Sequence, residues 1–537
     1  MIACYNTAIL AGSTITAWSS KQTSVVPPKV DPMDSTRQTA ESVGAARQHL
    51  QAGRLLEAKR LCQAVLHQQP KHPEALLLTG IISHQMRQLP AAIDHIERAI
   101  AADPQASSYR VTLGDMLLHA RRFCDAAAAY QQALAIEPTL PGVRGKLGVA
   151  LQGADQMAAA VEHYRLALEA EPESVELHYN LGTALKRQQQ FEEAIDAYGR
   201  AAQLAPENAD MQYKFGVLLV ENGRFEEAAV RLEAVARLDP RRSGVYDYLA
   251  YARMKLGQGN ASVAAARRSM ALTSEGLPAL KILSAALLCK GDAGEASAVC
   301  DRILSLDSGN RVALSGKAIA LSALGDKPGA RYLVDYDRFL RVSHLNPPSG
   351  YANIGAFNAA LVRHIESHPS LRFDSPTSSC HNGATSDELL VEPKGPVALL
   401  EAMIFSAGNE YRRALANDPG HPYVANLPAA CKLSAWATVL RSQGYQHGHT
   451  HPTAWLSGVY YVSLPSMVGT EGAGQSGWIE FGRAPYFYSC ADQGEIRSVQ
   501  PTEGMMVLFP SYFYHRTIPF EGPENRITIA FDFRQTD

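Results

Sequence analysis

Two periodicities divide this chain. Over its first three hundred or so residues, small and apolar positions recur every 34 residues; near the C-terminus the spacing falls to the two-residue alternation of a strand. The long period is marked by Pro70, Pro104, Pro138, Pro172, Pro206 and Pro240, and its phase continues through Ser274 and Ser308. Twelve positions before each mark stand Ala58, Ala92, Ala126, Ala160, Ala194, Ala228, Ser262 and Ala296. Twenty-four before, from the second mark on, stand Gly80, Gly114, Gly148, Gly182 and Gly216, then Ala250, Ser284 and Ala318. Eight before, three consecutive units place Tyr130, Tyr164 and Tyr198. Small residues at fixed points let paired helices approach closely, and a proline ends the second helix of each pair. A lone hairpin cannot bury its apolar face, so the pattern predicts hairpins stacked into an α-solenoid. Eight units cover 39–310, and a degenerate ninth runs to 344.

From Pro347 the 34-residue phase is gone. Phe357, Leu361 and Ile365 predict a helix within 350–372, with Asn353 or Asn358 near its start; 396–416 reads as a second helix and 373–390 as a loop. Strand-like runs follow at Lys432–Leu440, Leu456–Leu464, Gly477–Phe481, Met505–Phe509 and Ile527–Phe533, separated by Gly- and Pro-containing turns. The fold class expected is therefore multidomain α + β: a helical solenoid over 39–344, then a β barrel or sandwich with flanking helices over 345–537. Residues 1–38, rich in Ser, Thr and Pro, read as a flexible leader; Met33 is a second candidate start. The leader has no Lys or Arg before Lys21 and so lacks the charged beginning of a signal peptide.

Composition narrows the class. In 537 residues the apolar fraction of 46% and charged fraction of 19% are those of a globular protein. A net charge of −3 argues against a general nucleic-acid binder. No apolar run approaches the roughly 20 residues of a membrane span, so no membrane partner is expected. The eight cysteines are scattered without a Cys-x-x-Cys pair, which suits a reducing, cytoplasmic setting.

The candidate chemistry lies in the last hundred residues. In the final strand Ile527, Ile529, Phe531 and Phe533 share one face, and Arg526, Thr528, Ala530 and Asp532 the other. An arginine facing a barrel interior needs an anion, and either a bound carboxylate or Asp532 would serve. His447, His449 and His451 alternate, with His515 about sixty residues on, and imidazole is a standard ligand for first-row metals. The polar-loop alternative has three exposed imidazoles and no metal. Along the solenoid, the position two before the repeat glycine gives Lys146, Asn180 and Lys214. It is either a ladder of donors for a bound peptide or a solvated face.

The 34-residue pattern resembles the tetratricopeptide repeat family, whose solenoids bind peptides or proteins on a concave face. Residues 345–537 resemble the 2-oxoglutarate/Fe(II)-dependent oxygenases, which are double-stranded β-helix (jelly-roll) proteins. The matching pieces are Gly444-Tyr445-Gln446, His449-Thr450-His451-Pro452, Leu456 to Val462, Gly477 to Phe481, Gly504 to Ser511, His515, and Arg526 to Phe531. The resemblance implies Fe(II) held by His449 and His515, with His451 where the wider superfamily has Asp or Glu. It leaves open whether His451 or a water fills that position. It implies 2-oxoglutarate as co-substrate, its distal carboxylate held by Arg526 and Thr528 with a hydroxyl from Tyr461, while Tyr460 faces away. The activity expected is hydroxylation of a protein or peptide recruited by the repeats. Two alternatives stand: a non-catalytic scaffold with a degenerate β domain, and a three-histidine metal enzyme that does not use 2-oxoglutarate.

Overall fold

The computed structural model describes residues 32–273, 276–373, 380–415, 420–470, 472–489 and 494–536. Residues 1–31 of the expected leader, the repeat mark Ser274, and Cys4 and Cys490 lie outside them. A helix already begins at Pro32, so the last part of the expected leader is helical. The chain divides into two compact units, Met1–Ala167 and Leu168–Asp537, and the division falls inside the helix Met157–Ala170.

In both units the repeat positions do what their size requires. Ala58, Ala92, Ala126, Ala160, Ala194, Ala228, Ser262 and Ala296 are all fully buried. The repeat glycines seat a large side chain of their own hairpin. A Cβ on Gly114 would lie 2.5 Å from the Tyr130 ring, on Gly148 2.6 Å from Tyr164, and on Gly182 2.8 Å from Tyr198. In the hairpins of Gly80 and Gly216 the same place is taken by Ile96 and Leu232. Second helices end at Gln68, Ala102, Ile136, Ala170, Leu204 and Leu238, two residues before each proline. The intervening residue is driven out of helical conformation by the proline ring. A further periodic position emerges in the turn inside each hairpin. Residues 53, 87, 121, 155, 189, 223, 257, 291 and 325 all have positive φ, although Arg87, Arg121, Asp155 and Gln189 are not glycine.

Within the second unit the chain then builds a sheet. Its strands are β1 (Arg341–His344), β2 (Arg372–Phe373), β3 (Cys380–Thr385), β4 (Cys431–His449), β5 (Leu456–Ser463), β6 (Ile479–Phe481), β7 (Arg497–Val499), β8 (Met505–Pro510), β9 (His515–Thr517) and β10 (Arg526–Gln535). They run in the order β1-β8-β5-β10-β4-β9-β6-β7, with β3 also on β4 and β2 on β3; every pairing is antiparallel. The strand that turns the corner is β4. It pairs with β10 through Cys431–Leu440, passes Gln443 at φ 60°, and then pairs with β9 at Gln446 and His449. The result is the half-barrel of a double-stranded β-helix. The expected loop at 373–390 contains β3: a Cys-His-Asn-Gly-Ala-Thr run has little strand character of its own and is held extended by β4.

The helices Ile354–Glu366 and Val397–Leu415 supply Phe357, Leu361, Ile365, Leu400 and Ile404 to the same core as Ile527, Ile529, Phe531 and Phe533. Asn353 caps the first of these helices, accepting from Ala356 N–H at 2.8 Å. Asn358 is buried inside it and accepts from the Tyr460 hydroxyl at 2.7 Å, so Tyr460 does face outward. An aromatic cluster of Tyr336, Phe339, Tyr411, Tyr423, Trp455, Tyr512 and Phe513 joins the last helical segments to the sheet.

Candidate metal centre and anion cradle

The other face of β10 lines a cavity of about 250 Å³. Arg526, Thr528 and Ala530 line it from β10, and His449, His451 and His515 line it together with Trp436, Val459, Ile479 and Phe509, the last with its ring 4.7 Å from that of His515. This is the small end of the range for ligand pockets, the size of a metabolite rather than a dinucleotide.

The histidines are brought together by strand pairing. His449 ends β4 directly opposite His515, which begins β9. His451 lies in the following turn, its backbone N–H held by the Ser511 carbonyl at 2.8 Å. One ring nitrogen from each of the three lies within 4.8 Å of the others. The opposite nitrogen is already engaged in every case. His449 Nδ1 donates to the His447 carbonyl at 2.7 Å, and His515 Nδ1 to the Phe513 carbonyl at 3.0 Å. His451 Nδ1 donates to Asp532 Oδ1 at 2.7 Å, and the same oxygen accepts from Ser457 Oγ at 2.7 Å. Fixing the Nδ1 proton leaves three Nε2 lone pairs, the arrangement by which proteins orient imidazole ligands. Burial first, and the neighbouring rings second, push His449 down to about 4 and His515 well below the ordinary histidine range. Both rings are therefore neutral and able to ligate near pH 7. Three converging imidazoles fit a divalent transition metal.

His447 goes elsewhere. The ladder register shifts between Gln446 and His449, and the His447 ring sits against Tyr445 at 4.9 Å and Tyr486 at 6.1 Å.

Arg526 is 2% exposed. Its Nε donates to the Gly477 carbonyl at 3.1 Å, and its guanidinium carbon lies 5.1 Å over the Tyr461 ring. No carboxylate pairs with it among the described residues. Asp532, the partner that the alternation allowed, is six residues along the strand and committed to His451 and Ser457. Thr528 stands opposite Tyr461 on β5 and Thr438 on β4. The Tyr461 hydroxyl is buried against Arg526, and Thr438 Oγ is buried without a hydrogen-bond partner among the described residues. Tyr461 is set behind Arg526 rather than on the cavity wall, and burial, opposed by Arg526, pushes its pKa up to about 12. A buried guanidinium without a carboxylate partner among the described residues fits a carboxylate ligand.

Asp532, Ser457, Trp436 and Gln446 were not singled out for the metal end by the sequence. The signal for Asp532 was present, since it shares the inward face with Arg526.

The comparisons agree with this geometry. Residues 434–532 match the family described as "Putative 2OG-Fe(II) oxygenase". Residues 43–107, 84–141, 146–209 and 185–250 match families described as "Tetratricopeptide repeat". The chain thus carries tetratricopeptide repeats over 43–250 and a C-terminal domain of the 2OG-Fe(II) oxygenase type. Its repeats are similar to those of YrrB, a TPR protein with an unusual peptide-binding site, at 20% identity over 34% of this chain and 95% of that one, with a TM-score of 0.32. MamA matches at 20% identity over 31% and 96%, TM-score 0.29, and pilF of Pseudomonas aeruginosa at 18% over 38% and 93%, TM-score 0.34. No curated protein matches the chain. Among the described residues no helix is long and apolar enough to cross a membrane.

Of the expected ladder, Lys146 is paired with Asp115 at 2.9 Å. Lys214 bonds the Tyr179 hydroxyl and stacks on its ring at 4.7 Å, and Asn180 is half-buried. Both lysines are thus engaged by residues of the preceding repeat.

Proposed function

We propose that this protein is a 2-oxoglutarate- and Fe(II)-dependent dioxygenase that hydroxylates a protein or peptide recruited by its repeats. The observation that carries the reading is a single cavity lined both by a three-imidazole cluster and by a buried arginine lacking a carboxylate partner. Bound Fe(II) with 2-oxoglutarate and O₂ would supply oxidative decarboxylation to succinate and CO₂, one oxygen atom of O₂ entering succinate and the other hydroxylating a C–H bond.

The side chains define what the protein itself contributes. His449, His451 and His515 would hold the metal through the ring nitrogens they bring together. They add no charge, so a dianionic co-substrate neutralises the divalent centre. Arg526 presents a planar fork to the distal carboxylate, with Thr528 beside it and Tyr461 bracing the guanidinium. Asp532 and Ser457 hold His451 in one tautomer. Trp436, Val459, Ile479 and Phe509 supply the apolar part of a cavity lining that is otherwise polar.

The test is succinate release under air from the purified full chain with Fe(II) and 2-oxoglutarate. Turnover in the wild type, lost in His515→Ala and Arg526→Ala, supports the reading. Turnover absent in the wild type together with no 2-oxoglutarate binding would overturn it. Metal binding without 2-oxoglutarate binding would leave the three-histidine enzyme of another kind.

A further inference from the structure

The first helices of the repeats within the second unit form a groove of about 560 Å³, lined chiefly by Tyr248, Tyr251, Met254 and Ile282 and edged by Lys281 and Asp247. This groove does not end at the helices. At its end Lys255, the last residue of the helix Ser243–Lys255, lies with its ammonium 5.4 Å from the Tyr251 ring centre and 4.4 Å from that of Phe487. Phe487 belongs to the segment between β6 and β7, which is fastened to the repeats by a hydrogen bond from Ser489 N–H to the Leu288 carbonyl at 3.2 Å. Beside Phe487 stands Tyr486, 72% exposed, its ring 6.1 Å from that of His447, two residues before His449. Groove, lysine and aromatic segment therefore adjoin one another, and Tyr486 of that segment meets His447 at the end of β4.

Lys255 is unlike the other cations of this face. Lys186 pairs with Glu221 at 2.6 Å, Arg253 with Glu233, and Lys214 lies on Tyr179. Neither Lys255 nor Lys281 has an acidic partner among the described residues. The one acid that lines the groove, Asp247, is occupied by the Ser269 hydroxyl. Two aromatic rings partly desolvate the Lys255 ammonium, and that burial lowers its pKa. Cation–π contact offsets part of the lost hydration, but an anion reaching the exposed side would be held more strongly there than at an open surface.

We propose that Lys255 is the substrate anchor: it takes an Asp or Glu side chain of an acidic peptide segment that runs from the repeat groove to the oxygenase mouth. The specificity of the enzyme then resides partly in the repeats. The inference rests on the reading above for the reaction that follows, but the binding itself needs neither metal nor co-substrate.

The experiment uses the metal-free full chain and fluorescein-labelled peptides of alternating Glu-Gly, Gln-Gly and Lys-Gly, followed by fluorescence anisotropy at low salt. The Glu peptide is expected to bind at least tenfold more tightly than the Gln peptide, with the difference shrinking as salt rises. Lys255→Gln removes the preference, Lys255→Arg keeps it, and Lys255→Glu transfers it to the Lys peptide. Carbodiimide coupling of the Glu peptide to the unaltered chain, mapped by mass spectrometry, joins it to Lys255, a readout that does not depend on any variant folding. Equal binding of Glu and Gln peptides, a preference that survives in Lys255→Gln, or coupling that maps away from Lys255 would each overturn the proposal. Succinate release measured on the same samples reports separately on the oxygenase reading.

Discussion

Replacing Asp532 by asparagine probes how a site with three neutral ligands holds its metal. The carboxylate sits behind His451, 2% exposed, with Oδ1 accepting both the Nδ1 proton and the Ser457 hydroxyl at 2.7 Å. Asparagine keeps the volume but removes the charge, turning a charge-assisted hydrogen bond into a neutral one. The first kind contributes about 1.5–3 kcal/mol and the second about 1 kcal/mol, so the ring loses on the order of 1–2 kcal/mol of polarisation. Partners placed behind metal-bound histidines change metal affinity by about 10- to 100-fold when mutated, a range that overlaps the roughly 5- to 30-fold of the first figure. Calorimetric titration of Zn(II) or Co(II) into the metal-free protein, against a competing chelator, measures it. The expected result is Asp532→Asn binding about tenfold or more weakly, while Ser457→Ala, which leaves the charge in place, has the smaller effect. Unchanged affinity in Asp532→Asn would mean that His451 does not ligate, and a water would be assigned to that position.

Other outcomes follow from the same geometry. Arg526→Lys retains the charge but not the fork, so 2-oxoglutarate affinity should fall at least tenfold in calorimetry with metal affinity unchanged. His449 and His515 have folded pKa values below their unfolded ones, so the unfolded chain takes up protons first as pH falls. The metal-free protein should therefore lose thermal stability as pH drops from about 6.5 towards 4, and His449→Gln should flatten that slope. Gly182→Ala forces a methyl to within 2.8 Å of the Tyr198 ring; overpacking of this kind costs about 1–3 kcal/mol, partly offset by helix propensity, and denaturant titration should show a net loss.

The helical part of this fold was legible because its geometry is enforced by steric extremes. A glycine under a tyrosine ring and an alanine with no exposed surface leave few alternatives, so Gly148 with Tyr164 and Ala160 announce a hairpin from sequence alone. The left-handed turn residue was hidden, because four hairpins accept Arg, Asp or Gln there instead of glycine. In the barrel, β10 was legible from its clean alternation, which also placed Arg526 and Thr528 on the site face. The short strands β1, β7 and β9 carry too few residues for a period to show, and β3 is extended only because β4 holds it. His449 and His515 were found as types of residue at a suitable spacing. The role of Asp532 needed the register of β10 against β5, which sets it beside Ser457 and six residues from the arginine it could have neutralised. Lys255 was invisible, since its surroundings come from a strand connection more than two hundred residues away.

The central claim is that one cavity holds both a metal and 2-oxoglutarate. Anaerobic calorimetry of 2-oxoglutarate binding, with and without Fe(II), addresses it most directly. The expected result is binding to the Fe(II)-loaded wild type, strong weakening when the metal is withheld or in His515→Ala, and loss in Arg526→Ala with Fe(II) still bound. Binding that ignores both the metal and Arg526, or no binding to the Fe(II)-loaded wild type, would contradict the account.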